Sequence, residues 1–307
     1  MMISKVGVVG SGVMGKGIAT TVASRGIPVV LVRATGGDPK PVREQIAAQL
    51  ERRVKRGKLS PEERDATLGR LTVSPDLADL AGCDLVIETA LEELEPKRAL
   101  LLRIEKHITA GTVLVTNTSS LPLDELADAI DRPEELVALH FFNPVGAMKL
   151  VELAATTRTA PGALLSARAF CERIGKVPVE VKPSPGYVVN RLLVPMLLHA
   201  IETLEAGTAT PEAIDTAMKL GAAHPMGPLA LADLIGLDVV FAMATTLKRE
   251  LRDKRYRAPS LLRRLVLAGE VGKKTGRGIY DYSGERPVPN PNLHLGVPGP
   301  RIAGTGS

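Results

Sequence analysis

The stretch VGVVGSGVMGKGIATTVASRG, residues 6–26, joins a short apolar run to a glycine-rich segment. The run VGVV is typical of a buried strand, and a helical pattern begins a few residues later. Between them, Gly10, Gly12 and Gly15 follow the spacing G-x-G-x-x-G, with Val13 and Met14 inside the motif. Glycines at this spacing let the backbone turn sharply and approach a ligand closely. The stretch therefore predicts the first strand–turn–helix unit of an α/β sheet.

The rest of the first half continues this alternation of short strands and helices. Several of the candidate strands lack polar alternation, which is typical of strands covered on both faces. Ser60 and Glu63, with Pro61 between them, have the spacing of a capping box at a helix start. The pattern predicts a Rossmann-type, doubly wound, mostly parallel sheet. The candidate strands are residues 4–10, 28–33, 71–74, 84–88, 112–117, 136–142, 148–153 and 176–181.

The pattern changes at VKPSPG, residues 181–186, and only helical segments are predicted after it. Residues 185–207 are predicted as one buried helix, bent at Pro195 and ended by Gly207. We therefore expect an all-α C-terminal domain. The last residues are rich in proline and glycine, and we expect them to be irregular. The predicted domains are residues 1–184, 185–283 and 284–307.

Composition limits the class of protein. The 307 residues contain 45% apolar and 24% charged residues, as in globular proteins. No apolar run reaches the roughly 18 residues of a membrane span, and no leader is evident, so we expect a cytoplasmic protein without membrane contact. Cys83 and Cys171 have no metal or redox spacing, which predicts reduced structural thiols and no metal site. A net charge of +5 suits anionic partners, whereas 3% aromatic residues argue against a nucleic-acid surface. The alternative is a basic surface without a specific partner.

Arg33 ends the second predicted strand, PVVLVR. The glycine motif places a helix N-terminus where a dinucleotide pyrophosphate would bind. An NAD site normally has Asp or Glu at the end of that strand, to hold the ribose 2′-hydroxyl. A guanidinium instead pairs with a 2′-phosphate, and Thr35 with the glycines 36–37 would add donors. We therefore predict NADP(H) as the cofactor. The alternative is an exposed arginine in a site that also accepts NAD(H).

The segment LVALHFFNPVGAMKLVELA, residues 136–154, has the pattern of a hairpin. With Gly146 at its centre, His140 lies opposite Glu152, at the short distance of antiparallel partners. A carboxylate beside imidazole fixes its tautomer and stabilises its cation, so the pair would serve as a general base. The alternative is a core histidine satisfied by a neighbouring acid. The other histidines have no such partner nearby and are expected to be structural or at the surface: His107, His199, His224 and His294.

Six motifs between residues 3 and 282 together resemble the 3-hydroxyacyl-CoA (3-hydroxybutyryl-CoA) dehydrogenase family. They are GSGVMGKGIA, TNTSSLPLDELA, HFFNPVGAMKLVEL, PGYVVNRLLVPMLLHAI, HPMGPLALADLIGLD and GKKTGRGIYDY. The resemblance implies an oxidoreductase that reversibly converts an (S)-3-hydroxyacyl thioester to the 3-oxo form. In this family the histidine corresponding to His140 is the base, and the glutamate corresponding to Glu152 orients it. Arg33 departs from the family, whose common members carry Asp there.

The resemblance also implies roles for further polar residues. Ser119 and Asn190 would bond the substrate oxygen or the histidine, with helix capping before Pro122 and a helix-end bond as the respective alternatives. Asn143 resembles a residue near the site, although it is also a natural turn residue. Asn117, Glu92 and Lys97 would contact the nicotinamide and its ribose. For Glu92 and Lys97 the alternative is an ordinary helix-surface charge.

The substrate handle and the assembly also follow from the resemblance. Lys55, Arg56 and Lys58 would meet the phosphorylated part of CoA, or dock an acidic acyl carrier protein; the alternative is a solvated helix face. The helical domain would pair two subunits into a homodimer. Two competing functions remain open on the sequence: a dehydrogenase of free 3-hydroxy acids, and a non-catalytic nucleotide-binding relative.

Overall fold

The computed structural model of the chain describes residues 3–293, so His294 lies outside the described residues. The chain divides into two compact units, an N-terminal unit that ends at Tyr187 and a C-terminal unit that begins at Val188. The N-terminal unit contains eight strands: β1 (Val6–Val9), β2 (Val29–Val32), β3 (Leu71–Ser74), β4 (Leu85–Glu88), β5 (Val113–Thr116), β6 (Leu136–Phe141), β7 (Leu150–Ala154) and β8 (Val177–Glu180).

These strands form one sheet in the order β3-β2-β1-β4-β5-β6-β7-β8. All neighbours are parallel except β6 and β7, which form an antiparallel hairpin. The strand order reverses at β1, which pairs with β2 on one side and β4 on the other. The predicted doubly wound, mostly parallel sheet is confirmed, and a ligand of such a sheet binds at the carboxyl ends next to this reversal.

Helices cover both faces of the sheet, and each face has its own core. Ile18 of the first helix packs in one core with Val6 of β1. Val9 of the same strand belongs to the other core, together with Leu101. The two cysteines are free and buried, and burial raises the pKa of Cys83 to about 11 and that of Cys171 to about 12. The helices are α1 (Val13–Ser24), α2 (Lys40–Lys55), α3 (Pro61–Gly69), α4 (Leu94–Glu105), α5 (Leu123–Ala127) and α6 (Pro161–Arg173).

The C-terminal unit is helical, as predicted, around a separate apolar core. Its elements are α7 (Val189–Glu205), α8 (Pro211–Gly221), α9 (Pro228–Ile235), α10 (Leu237–Leu251), α11 (Ser260–Leu267), β9 (Tyr280–Asp281) and β10 (Val288–Pro289). The fully buried Asp233 of α9 accepts the backbone N–H groups of Ile279 and Tyr280 at 2.9 and 2.8 Å, which fastens the GKKTGRGIYDY segment to the helices. Within residues 3–293 no single helix has the length and apolar composition of a membrane span; α9 and α10 do so only as a pair, bent by 93° at their junction.

Three details of the structure differ from the sequence prediction. The helix expected from residue 185 begins at Val189, because Gly186 and Tyr187 have φ values of +76° and +43°, outside the helical region. The C-terminal unit is not purely helical, since β9 and β10 form a two-stranded antiparallel ladder. Part of the tail is therefore regular: β10 belongs to it, and the side chain of Asn290 donates to the Gly278 carbonyl at 2.8 Å.

Candidate active site

The glycine motif forms a tight turn between β1 and α1. Gly10 has a φ of +113°, and a Cβ on Gly15 would lie 1.7 Å from the Gly10 carbonyl oxygen, so neither position tolerates a side chain. A Cβ on Gly12 would meet nothing within 4 Å, which leaves the turn open on its outer side. The N-terminus of α1, at Val13, has no side-chain cap. Free helix N–H groups beside an open glycine turn fit a pyrophosphate group.

Arg33 directly follows β2, at the same edge of the sheet as the glycine turn. Its Nη1 donates to the carbonyl of Asp38, and Gly37 lies over the guanidinium, with an added Cβ 3.5 Å from Nη1. Among the described residues, its buried Nε has no hydrogen-bond partner. The turn therefore holds the guanidinium on one side. Where an NAD site would have a carboxylate, this chain presents a cation.

His140 and Glu152 are direct partners in the β6–β7 hairpin, as the sequence predicts. His140 Nδ1 lies 2.7 Å from Glu152 Oε2, and the two side chains are 8% and 1% exposed. Because a carboxylate only accepts hydrogen bonds, this contact places the imidazole proton on Nδ1 and leaves Nε2 to accept one. The rings of Phe142 and Tyr187 lie 4.5 and 5.5 Å from the imidazole ring, centre to centre. The carboxylate and the two rings therefore orient the imidazole in a largely water-excluded environment.

Ser119 lies in the loop that follows β5, where its partner is Glu92. Glu92 Oε1 accepts from the backbone N–H of Ser119 at 2.6 Å and from its hydroxyl at 3.1 Å. The alternative of helix capping by Ser119 is wrong, because α5 begins after Pro122 without any side-chain cap. Asn117, in the same loop, accepts from the Phe141 N–H at 2.9 Å and so ties the loop to the end of β6.

Lys97 is buried, and the alternative of a helix-surface charge is wrong for it. Its ammonium lies 2.8 Å from Glu88 Oε2 and 3.5 Å from Glu92 Oε2, with an exposed fraction of 1%. Glu88, the last residue of β4, is completely buried and also accepts from the Thr116 hydroxyl at 2.9 Å. The sequence analysis did not single out Glu88. Its signal was a carboxylate that ends the otherwise apolar run LVIE, residues 85–88.

A cleft of about 670 Å³ lies among α1, α2, α3 and the hairpin turn of residues 143–149, and we call it the basic cleft. Asn143 and Lys58 line it, whereas Lys55 and Arg56 are exposed nearby and do not. Glu63 is the single acid among the described residues that line it. The basic side chains in its wall include several that sequence reasoning missed, because they come from five separate segments: Lys16, Arg53, Arg70, Lys149 and Lys176.

Lys176 holds the hairpin turn that carries Asn143. Its buried ammonium donates to the carbonyls of Val145 and of Met148, the latter at 2.7 Å. Burial, and the positive charge of Arg25, lower the pKa of this lysine. One side chain at the start of β8 therefore fixes the loop between the two strands that carry His140 and Glu152.

The remaining predicted residue, Asn190, belongs to the C-terminal unit, where it lies in the first turn of α7. The same unit has an apolar groove of about 560 Å³ between α7 and α8, with Met196, Ile214 and Met218 in its walls. Among residues 3–293 no cluster of three or more His, Cys, Asp or Glu side chains could hold a metal ion.

Comparison with known proteins identifies the family of both units. Residues 5–184 match the NAD-binding domain of 3-hydroxyacyl-CoA dehydrogenase, and residues 186–282 match the C-terminal domain of the same family. The 3-hydroxybutyryl-CoA dehydrogenase of Bradyrhizobium diazoefficiens is 42% identical over 94% of this chain and 98% of its own length. That of Mycobacterium tuberculosis is 43% identical over 91% of this chain and 99% of its own.

Solved structures agree with the sequence comparison. The crystal structure of (S)-3-hydroxybutyryl-CoA dehydrogenase PaaH1 from Ralstonia eutropha has a TM-score of 0.85 to this chain at 41% identity, and the match covers 92% of this chain and all of that one. The chain therefore belongs to the 3-hydroxyacyl-CoA dehydrogenase family, a family of oxidoreductases that interconvert 3-hydroxyacyl-CoA and 3-oxoacyl-CoA with a nicotinamide cofactor.

Proposed function

We propose that this chain interconverts (S)-3-hydroxyacyl and 3-oxoacyl thioesters, with His140 as general base and acid and Glu152 as its orienting partner. The observation that carries the proposal is the 2.7 Å contact between His140 Nδ1 and Glu152 Oε2 at a buried position. It supports a base whose Nε2 is free for a substrate proton. The alternative, a core histidine satisfied by a neighbouring acid, does not account for the position of the pair. His140 lies near the carboxyl end of β6, at the edge where a sheet of this type binds its ligand.

In the oxidation direction, His140 Nε2 takes the proton of the C3 hydroxyl, and the negative charge of Glu152 stabilises the imidazolium that forms. In the reduction direction the same imidazolium returns its proton to the oxygen on C3. The bound nicotinamide, when present, supplies the hydride acceptor or donor. The surrounding rings of Phe142 and Tyr187 exclude water and so strengthen the interaction between the two charges.

Ser119, Asn143 and Asn190 are proposed as substrate contacts. The Ser119 hydroxyl bonds Glu92 at 3.1 Å, the long end of the normal range, and can still accept a hydrogen bond through its second lone pair. Asn143 is exposed on the wall of the basic cleft, where it can reach a ligand. Asn190 presents a polar group near the start of an otherwise apolar helix.

We further propose that the cofactor is NADP(H), with NAD(H) as the weaker alternative. Gly10, Gly12, Gly15, Val13 and Met14 would hold its pyrophosphate, and Asn117, Glu92 and Lys97 would contact the nicotinamide half. Arg33 supports the 2′-phosphate, because it directly follows β2, where an NAD site has a carboxylate, and a guanidinium binds phosphate through paired donors.

The basic cleft supports a phosphorylated substrate handle, which is CoA or the phosphopantetheine of an acyl carrier protein. Lys58 and Arg53 contribute positive charge to the cleft wall, and Lys55 and Arg56 would act at its rim. The apolar α7–α8 groove supports a homodimer through the helical unit. Two free, buried thiols support a reducing compartment, which we propose is the cytoplasm.

A matrix of substrates and cofactors tests this proposal. The kcat/KM of the purified protein is measured for acetoacetyl-CoA, acetoacetyl-acyl carrier protein and free acetoacetate, each with NADH and with NADPH. We expect a thioester with NADPH to be best. A free acid turned over faster than both thioesters would favour a dehydrogenase of free 3-hydroxy acids. Tight NADPH binding without turnover of any 3-oxo compound would indicate a non-catalytic relative.

A further inference from the structure

Three charged side chains form an ion-pair network at the carboxyl end of β4: Glu88, Lys97 and Glu92. Lys97 lies 2.8 Å from Glu88 and 3.5 Å from Glu92, so one ammonium is shared by two carboxylates. Glu88 has the closer contact, with both of its oxygens within 2.9 Å of the ammonium. Together the three groups carry one net negative charge, because the single ammonium of Lys97 balances only one of the two carboxylates.

Glu92 is held in one position by donors on its other side. Its Oε1 accepts from the Thr118 hydroxyl at 2.7 Å and from the N–H groups of Ser119 and Ser120 at 2.6 and 3.0 Å. Burial raises the pKa of Glu92, but the charge of Lys97 and these hydrogen bonds outweigh burial and leave the pKa below its ordinary value. Glu92 is therefore a carboxylate at neutral pH, with a fixed location.

The charges of Glu92 and of Glu152 act on the same side chain, Tyr187. After burial, the two largest causes that raise the pKa of Tyr187 are the charges of Glu92 and Glu152. The Tyr187 ring is 5.5 Å from the His140 ring, centre to centre. Glu92 and the His140–Glu152 pair thus act on one common neighbour within the N-terminal unit.

The topology assigns the nicotinamide half of the cofactor to this side of the sheet. A dinucleotide lies across the carboxyl ends of the strands where the strand order reverses, which is at β1. Arg33 and β2 take the adenosine half, so the nicotinamide half lies over β4, β5 and β6. These strands end at Glu88, at Thr116 and next to His140.

We propose that Glu92, fixed by Lys97 and the 118–120 loop, is an electrostatic positioning residue that makes the site bind oxidised cofactor in preference to reduced cofactor. The oxidised nicotinamide ring carries one positive charge and the reduced ring carries none, so a fixed carboxylate attracts only the oxidised form. The inference rests on the proposed cofactor site. It adds that this site distinguishes the oxidised cofactor from the reduced cofactor.

The test measures the dissociation constants of NADP⁺ and NADPH, without substrate, by calorimetry at low salt. The variant is Glu92→Gln, because glutamine keeps an oxygen that accepts from the 118–120 loop and removes the charge. Glu92→Asp keeps the charge. Glu105→Gln is the matched control: Glu105 also accepts two loop N–H groups, of Asp131 and Arg132, at 2.8 and 2.7 Å, but lies at the other end of α4.

We expect Glu92→Gln to lower the preference for NADP⁺ over NADPH by roughly tenfold, through weaker NADP⁺ binding. The lost interaction is the attraction between the carboxylate charge and the positive charge of the oxidised ring, at the effective dielectric constant of a protein interior. Glu92→Asp and Glu105→Gln should retain most of the preference. An unchanged ratio in Glu92→Gln, or an equal loss of both affinities, would overturn the inference. Failure of the unaltered protein to bind either form of either cofactor would instead contradict the proposed function.

Discussion

Replacing Glu152 by glutamine removes one charge from the proposed catalytic pair of His140 and Glu152 and leaves the side chain almost the same size. The glutamine oxygen can still accept from His140 Nδ1, so the tautomer is kept and the loss is that of the charge. A hydrogen bond to a charged group contributes about 1.5–3 kcal/mol. Because the imidazolium forms only as the alcohol is oxidised, and a neutral hydrogen bond of about 0.5–1.5 kcal/mol remains, the barrier of the oxidation rises by roughly 1–1.5 kcal/mol and kcat falls roughly 5- to 13-fold.

The assay is the oxidation of an (S)-3-hydroxyacyl-CoA under saturating substrate and cofactor, followed by the absorbance of the reduced nicotinamide that forms. Glu105→Gln is again the control, because Glu105 is 6% exposed and thus almost as buried as Glu152. We expect its kcat to equal that of the unaltered protein, and both variants should give the native circular dichroism spectrum. A correctly folded Glu152→Gln variant with unchanged kcat would refute the role of the carboxylate.

Three further predictions concern the cofactor, the substrate handle and stability. Arg33→Asp should reverse the preference from NADPH to NADH, with a loss of roughly 10- to 100-fold in kcat/KM for NADPH; an unchanged cofactor ratio would contradict the phosphate contact. Lys58→Glu should raise KM for acetoacetyl-CoA more than Lys55→Glu does, since only Lys58 lines the basic cleft, and the difference should shrink at high salt; equal effects would contradict the cleft. Burial raises the pKa of Asp233 from 3.8 to about 6, so the folded state binds the extra proton and the free energy of unfolding should fall as pH rises from about 4 to 6. Urea unfolding of Asp233→Asn should lack this fall, and a parallel pH profile for the two proteins would contradict it.

The hairpin and the sheet were predictable because their signals are local. Strands covered on both faces appear as apolar runs, and the turn NPVGA fixes the register that pairs His140 with Glu152. The helix start at Val189 was not predictable in the same way. The segment before it has a helical composition, and only the left-handed backbone at Gly186 and Tyr187 delays the helix.

The environment of the loop after β5 could not be predicted from local patterns. Ser119 and Glu92 are 27 residues apart, and they meet because β4 and β5 are neighbours in the sheet. The same applies to Lys97, whose place on α4 has the pattern of a surface charge, although its buried ammonium pairs with Glu88 at the end of the neighbouring strand. The basic cleft likewise assembles side chains from distant segments that only the fold brings together.

The most direct test of the account is the single-turnover rate of hydride transfer in His140→Ala, measured by stopped flow with saturating cofactor and acetoacetyl-CoA. We expect this rate to fall roughly 10²- to 10⁴-fold while the dissociation constant of the cofactor stays the same. A near-normal rate of hydride transfer in the folded variant would contradict the assignment of His140 as the proton donor and acceptor.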